Sequence, residues 1–96
     1  PVFGFGIDDY RGFTAYGTNT SLKGIDLGIV TGEGVIEFDL KSLPMLEGRY
    51  FVNLSIHSRD ERTVYHWLDR HATFEMNSRI NDVGLLYIPC EILVNP

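Results

Sequence analysis

Leu43-Pro44-Met45-Leu46-Glu47-Gly48-Arg49-Tyr50-Phe51-Val52-Asn53-Leu54-Ser55-Ile56-His57-Ser58 is the stretch on which the fold turns. Pro44 and Gly48 punctuate a turn, and from Arg49 onward the residues alternate strictly. Tyr50, Val52, Leu54 and Ile56 share one side of an extended strand, and Phe51, Asn53, Ser55 and His57 share the other. The first side is dry and requires a second layer to bury it. The second carries an aromatic ring, an amide, a hydroxyl and an imidazole in a row, a set suited to a polar ligand.

Upstream, Val2 to Asp8 alternates Phe3, Phe5 and Ile7 against Val2, Gly4, Gly6 and Asp8. The glycine side bares its backbone to close approach, by a neighbouring side chain or sheet in one reading and by a ligand in the other. Asp8 to Gly12 has turn chemistry and Phe13 to Tyr16 returns, so a hairpin is expected. Gly17 to Ser21 reads as a loop closed by its own Asx and hydroxyl side chains. Lys23 to Thr31 is a short strand or an ordered loop, and Val35 to Leu40 is expected to be a strand with Ile36, Phe38 and Leu40 inward.

Downstream, Arg59 to Arg62 is a charged turn, and Thr63 to Leu68 is rich in β-branched and aromatic residues. Its tail, Asp69-Arg70-His71, reads as strand or coil before Ala72, Phe74 and Met76 resume an inward set. Asn77 to Asp82 is a polar loop. Gly84 to Val94 is a long apolar run in which Pro89 marks an edge strand or a bulge. Apolar on both sides, that run sits between layers or pairs with a second chain. No stripe with helical period occurs, and some seven short strands with regular turn signals indicate an all-β, antiparallel sandwich.

Ninety-six residues suit one domain, and no apolar run approaches the ~18 residues of a transmembrane helix. The formal net charge of −5 and scattered cations argue against a phosphate-backbone partner, so no nucleic acid is expected. Cys90 is the single cysteine, which excludes an intrachain disulfide. It sits beside Pro89 in an apolar run without an activating motif and is expected to pack as a small hydrophobe. His66 and His71 are five apart, on opposite strand faces, with no carboxylate or thiol at ligand spacing, so neither metal nor cofactor is expected. No Gly-x-Ser-x-Gly elbow is present, and the acids lie mostly in turns, which argues against nucleophilic or paired-carboxylate catalysis.

Binding remains. Sugars are held by flat rings under their C–H faces and by planar polar groups that exchange hydrogen bonds with hydroxyls. Phe51, Asn53, Ser55 and His57 supply that mixture on one side of a strand, and Tyr65 and Trp67 share a parity on what is expected to be a nearby strand. The competing account makes Tyr65 and Trp67 core or interface residues.

The opening Pro1-Val2-Phe3-Gly4-Phe5-Gly6-Ile7, the Gly17-Thr18-Asn19-Thr20 loop, the turn Leu43 to Tyr50, Phe74 near the end of one strand and Gly84 at the start of the last occur in an order that spans nearly the whole chain. This order resembles the C-terminal carbohydrate-binding domain of Wzt-type ABC transporter subunits, which export O-antigen polysaccharide, the outer part of lipopolysaccharide, in Gram-negative bacteria. The resemblance implies an immunoglobulin-like β-sandwich that homodimerises partly through its terminal strand, here 84–94. It implies recognition of the modified non-reducing end of the finished glycan before export. It also implies an upstream ATP-binding domain and a place at the cytoplasmic face of the inner membrane. Domains of that family usually have further strands before the point where this chain opens, so residues 1–96 are expected to form one carbohydrate-binding sandwich domain lacking its first strand or strands.

The expected function is therefore non-catalytic glycan recognition, with Phe51, Tyr65 or Trp67 stacking and Asn53, Ser55 and His57 hydrogen-bonding. Alanine at Asn53 and His57 together is expected to abolish binding and leave stability nearly intact. The alternatives are a dimerisation module built on Gly84 to Val94 and an accessory carbohydrate-binding module of a carbohydrate-active enzyme.

Overall fold

The computed structural model describes residues 1–77 and 80–95, and within them the regular structure is β throughout. Four strands, β1 (Val2–Asp9), β2 (Thr14–Asn19), β3 (Gly48–His57) and β4 (Val64–Met76), form one antiparallel sheet in the order β2-β1-β3-β4. The stretch expected to organise the chain is the inner strand β3. The all-β antiparallel class is as expected. The covering layer over the sheet is built from coil where further strands were expected.

Parity decides the two sides. Phe3, Phe5 and Ile7 stand opposite Ile56, Leu54 and Val52, and Tyr50 and Val52 stand opposite Phe74 and Ala72 of β4. This is the covered side. Ile7, Met45 and Tyr50 are its buried core, with Phe5, Ala15, Leu40, Phe74, Met76 and Leu85 packed around them. Tyr50, 1% exposed, stacks on Phe74 with ring centroids 5.4 Å apart and donates its hydroxyl proton to the Leu46 carbonyl at 2.9 Å.

The lid over that core comes from the β2–β3 connection and the chain's end. Phe38 stacks on Phe5, Leu46 N–H donates to the Leu85 carbonyl, and Tyr87 N–H donates to the Pro44 carbonyl. Val35 to Leu40 was expected to be a strand and is coil. Its parity survives: Phe38 and Leu40 still turn toward the sheet, because apolar alternation specifies which side is buried, while a ladder needs a neighbouring strand as well. Gly84 to Val94 was likewise expected to be a strand. It makes one bridge, Leu86 to Met45, and no ladder beyond it, and Pro89 has no N–H to give.

Two turns are fixed by side chains. In the β1–β2 hairpin the wholly buried Asp9 accepts the Arg11 and Phe13 N–H groups on Oδ1, both at 2.9 Å, and the Arg11 guanidinium on Oδ2. Gly12, at φ 89°, supplies the left-handed residue the turn needs. Burial alone would raise the Asp9 pKa, but the Arg11 guanidinium and the two N–H groups reverse that and hold it below the ordinary carboxylate value. Between β3 and β4, Ser58 Oγ donates to Asp60 and accepts from Thr63 N–H, closing the charged turn. β2 runs on through Gly17 to Asn19, which was expected to be loop, because Gly17 pairs with Gly6. The expected Asx closure comes one step later, where Asn19 Oδ1 accepts Leu22 N–H at 2.7 Å. Of the expected loop Asn77 to Asp82, residues 78 and 79 lie outside the described residues.

Candidate functional site

Among the described residues the second side of the sheet has no covering layer of this kind. Phe51, Asn53, Ser55 and His57 lie there together, opposite Asp8, Gly6, Gly4 and Val2 of β1, and Ser55 faces Trp67 of β4. The glycines of β1 continue into Gly17 of β2, leaving a strip without side chains beside the Asn53–Ser55 row. At Gly4 the close approach is made by a neighbour: a Cβ there would lie 2.4 Å from Ser55 Oγ. The hydroxyl occupies the space the glycine leaves.

The six residues expected to bind ligand are not equivalent. Trp67 and Tyr65 are 57% and 60% exposed, so neither is a core residue. Trp67 lies directly across from Ser55. Tyr65 is the extra residue of a bulge, since Ile56 pairs with His66 and His57 with Val64, so it has no residue directly opposite on β3. His57 is nearly buried at the strand's end, 3.9 Å from Glu61 across a loose ion-pair geometry. Asn53 is 7% exposed, and both ends of its amide are engaged: Nδ2 donates to Asp8 Oδ2 and Oδ1 accepts Arg70 N–H, each at 2.8 Å. The expectation that Asn53 and His57 could be truncated without cost to stability is therefore corrected for Asn53, which ties β1 to β4 across β3.

Asn53 faces an irregularity. Val52 pairs with Ala72 and Leu54 with Leu68, so residues 69–71 stand opposite one residue of β3. Arg70, at φ 49°, takes the left-handed conformation in this wide bulge, and its guanidinium carbon lies 4.3 Å from the Phe51 ring centroid. For a residue with a Cβ that conformation costs ~1–2 kcal/mol, and an exposed cation over a ring returns ~0.5–1 kcal/mol. The stack alone does not offset the backbone. Glycine would fit the bulge better, and what arginine adds is its side chain.

Sequence reasoning missed two members of this surface, Asp8 and Arg70. Asp8 shares the parity of Gly4 and Gly6, a usable signal, but it also opens the turn and is not among the residues expected to bind. Arg70 fell in the tail read as strand or coil, and no local pattern encodes a bulge imposed by an amide seventeen residues away. With them, the surface holds a carboxylate, an amide, a guanidinium and three aromatic rings, the groups that bind hydroxyl-rich molecules.

A cleft of about 710 Å³ lies elsewhere, on the covered side between β1–β2 and residues 36–45. Its walls include Phe5, Ile7 and Met45, the surface that the core itself requires, and none of the six expected residues lines it. Among the described residues no cluster of His, Cys, Asp or Glu could hold a metal ion, and no helix is long and apolar enough to cross a membrane.

Residues 1–88 match the Wzt C-terminal domain. The chain belongs to that family. The Wzt match covers all four strands and both sides of the sheet, and it agrees with the resemblance carried by the opening strand, the Leu43 to Tyr50 turn and Gly84. No curated protein sequence matches the chain.

Proposed function

We propose that this Wzt C-terminal domain is a non-catalytic glycan-recognition module that takes an O-antigen polysaccharide on the open side of β1, β3 and β4 for an ABC exporter. The observation that carries the reading is the juxtaposition of exposed Trp67 and Tyr65 with the hydrogen-bonded chain Asp8–Asn53–Arg70 over Phe51. Flat rings would stack beneath sugar C–H faces, and the carboxylate and guanidinium would take hydroxyls at the edge. No bond need form or break there. Within the exporter, the domain would follow an ATP-binding domain at the cytoplasmic face of the inner membrane and read the modified non-reducing terminus before transport.

The test is a glycan array carrying O-antigen fragments, probed with the wild-type chain and Trp67→Ala. Selective hits lost in the variant support the reading. Hits unchanged in Trp67→Ala move the site off this face, and an array without hits removes the reading.

One observation favours a second role beside it. Ile92, Leu93 and Val94 are 86%, 79% and 83% exposed, an apolar end with no cover among the described residues. Pairing of 84–94 with a second copy would bury it and make the domain a homodimer. Sedimentation with and without residues 88–96 separates the roles: loss of a dimer with array hits retained assigns the tail to assembly, and a monomer in both removes that role.

A further inference from the structure

We infer that Arg70 sets the specificity of this surface and that the saccharide it receives carries an oxyanion, a carboxylate or a phosphate ester, seated against the guanidinium beside Phe51. The inference rests on the glycan reading above and deepens it. Arg11, Arg49, Arg59 and Arg62 each stand within ion-pair distance of a carboxylate, on Asp9, Glu75, Asp26 and Asp60. Among the described residues Arg70 has no such partner. Its guanidinium is held over the Phe51 ring and is exposed on the side of the sheet that carries the binding groups.

Placement follows from the bulge. Asn53 Oδ1 fixes the Arg70 N–H, the left-handed backbone turns the residue out of the ladder, and the ring supports one face of the guanidinium. A stacked guanidinium keeps its in-plane N–H donors free, in a fork that matches two oxygens of a carboxylate or phosphate. Across the strands Asp8 stands opposite Phe51, and one of its oxygens already accepts from Asn53. The chain's net charge of −5 would repel a polyanion at long range, but that field is screened within about 10 Å at ordinary salt. A single acidic group delivered on a neutral glycan meets the local cation first.

The experiment titrates the full chain by two-dimensional NMR with methyl β-glucuronide, glucose 6-phosphate and methyl β-glucoside, repeated with Arg70→Gly and Arg70→Lys. Glycine suits the left-handed position, so Arg70→Gly keeps the fold and its melting temperature does not fall. In the wild type at least one acidic sugar binds roughly tenfold or more tightly than the neutral glucoside, with shifts at Phe51 and the Arg70 side-chain N–H. Which acid does so separates carboxylate from phosphate. Arg70→Gly brings the ratio to about one, Arg70→Lys restores part of it, and raising salt from about 0.02 M to about 0.5 M narrows it. Equal binding of acidic and neutral sugars by the wild type, or a ratio unchanged in Arg70→Gly, overturns the inference and leaves glycan recognition standing. No shift on this face with any of the three sugars overturns both.

Discussion

The two sides of the sheet are made by the same alternation and held by different forces. On the covered side, Ile7, Met45 and Tyr50 exclude water through area and shape, and the lid that completes them is coil. On the open side, order comes from directed hydrogen bonds, with Asn53 joining Asp8 to the Arg70 backbone, and from the close seating of Ser55 over Gly4. Apolar burial is non-directional, so an irregular segment with the right parity can supply it. A binding surface has to fix individual groups, and it uses polar contacts with one geometry each.

The contrast is most exposed to failure at Tyr50. Tyr50→Ala removes the largest buried side chain and should cost ~3–5 kcal/mol, read from urea unfolding. A loss under ~1 kcal/mol would mean the covered side is not the core. On the open side the largest effect belongs to Asn53→Ala, which leaves the Arg70 N–H without its acceptor and should cost ~1–3 kcal/mol, while His57→Ala changes little. Equal effects of the two would erase the distinction between a polar tie and a polar decoration. Tyr50→Phe, keeping the ring and losing the bond to the buried Leu46 carbonyl, should cost ~1 kcal/mol.

Acid separates the sides in another way. The folded Asp9 pKa lies below its ordinary value near ~3.9, so its contribution is fully present above about pH 4 and fades as pH falls through the lowered value. Asp9→Asn should therefore flatten the dependence of stability on pH below about pH 4, without abolishing it, because Asp26 and Asp60 are lowered as well. An acid limb of unchanged slope would show that the hairpin is not held by the ionised carboxylate. The smallest effect on stability is expected for Trp67→Ala, within ~0.5 kcal/mol by thermal denaturation, since the ring is exposed.

Parity was the most legible property of the sequence. Alternation through Arg49 to His57 and Val2 to Asp8 assigned both sides of β1 and β3 correctly, because a strand's period of two is a covalent fact. Pairing was less legible. Val35 to Leu40 and Gly84 to Val94 have the composition of strands, yet a ladder depends on what lies alongside, which one segment's pattern does not contain. Phe51, Asn53, Ser55, His57 and Trp67 were placed together by counting. Arg70 was not, since its place depends on an amide from another strand and a backbone conformation arginine rarely takes.

The wide bulge in β4 inserts an even number of residues, so Leu68 before it and Ala72 after it fall on the same side. Its middle position is thereby uncoupled from the hydrophobic order that runs past it. A change of side chain at 70 alters what the surface greets without shifting one core residue, so the bulge works as an interchangeable fitting on a fixed frame.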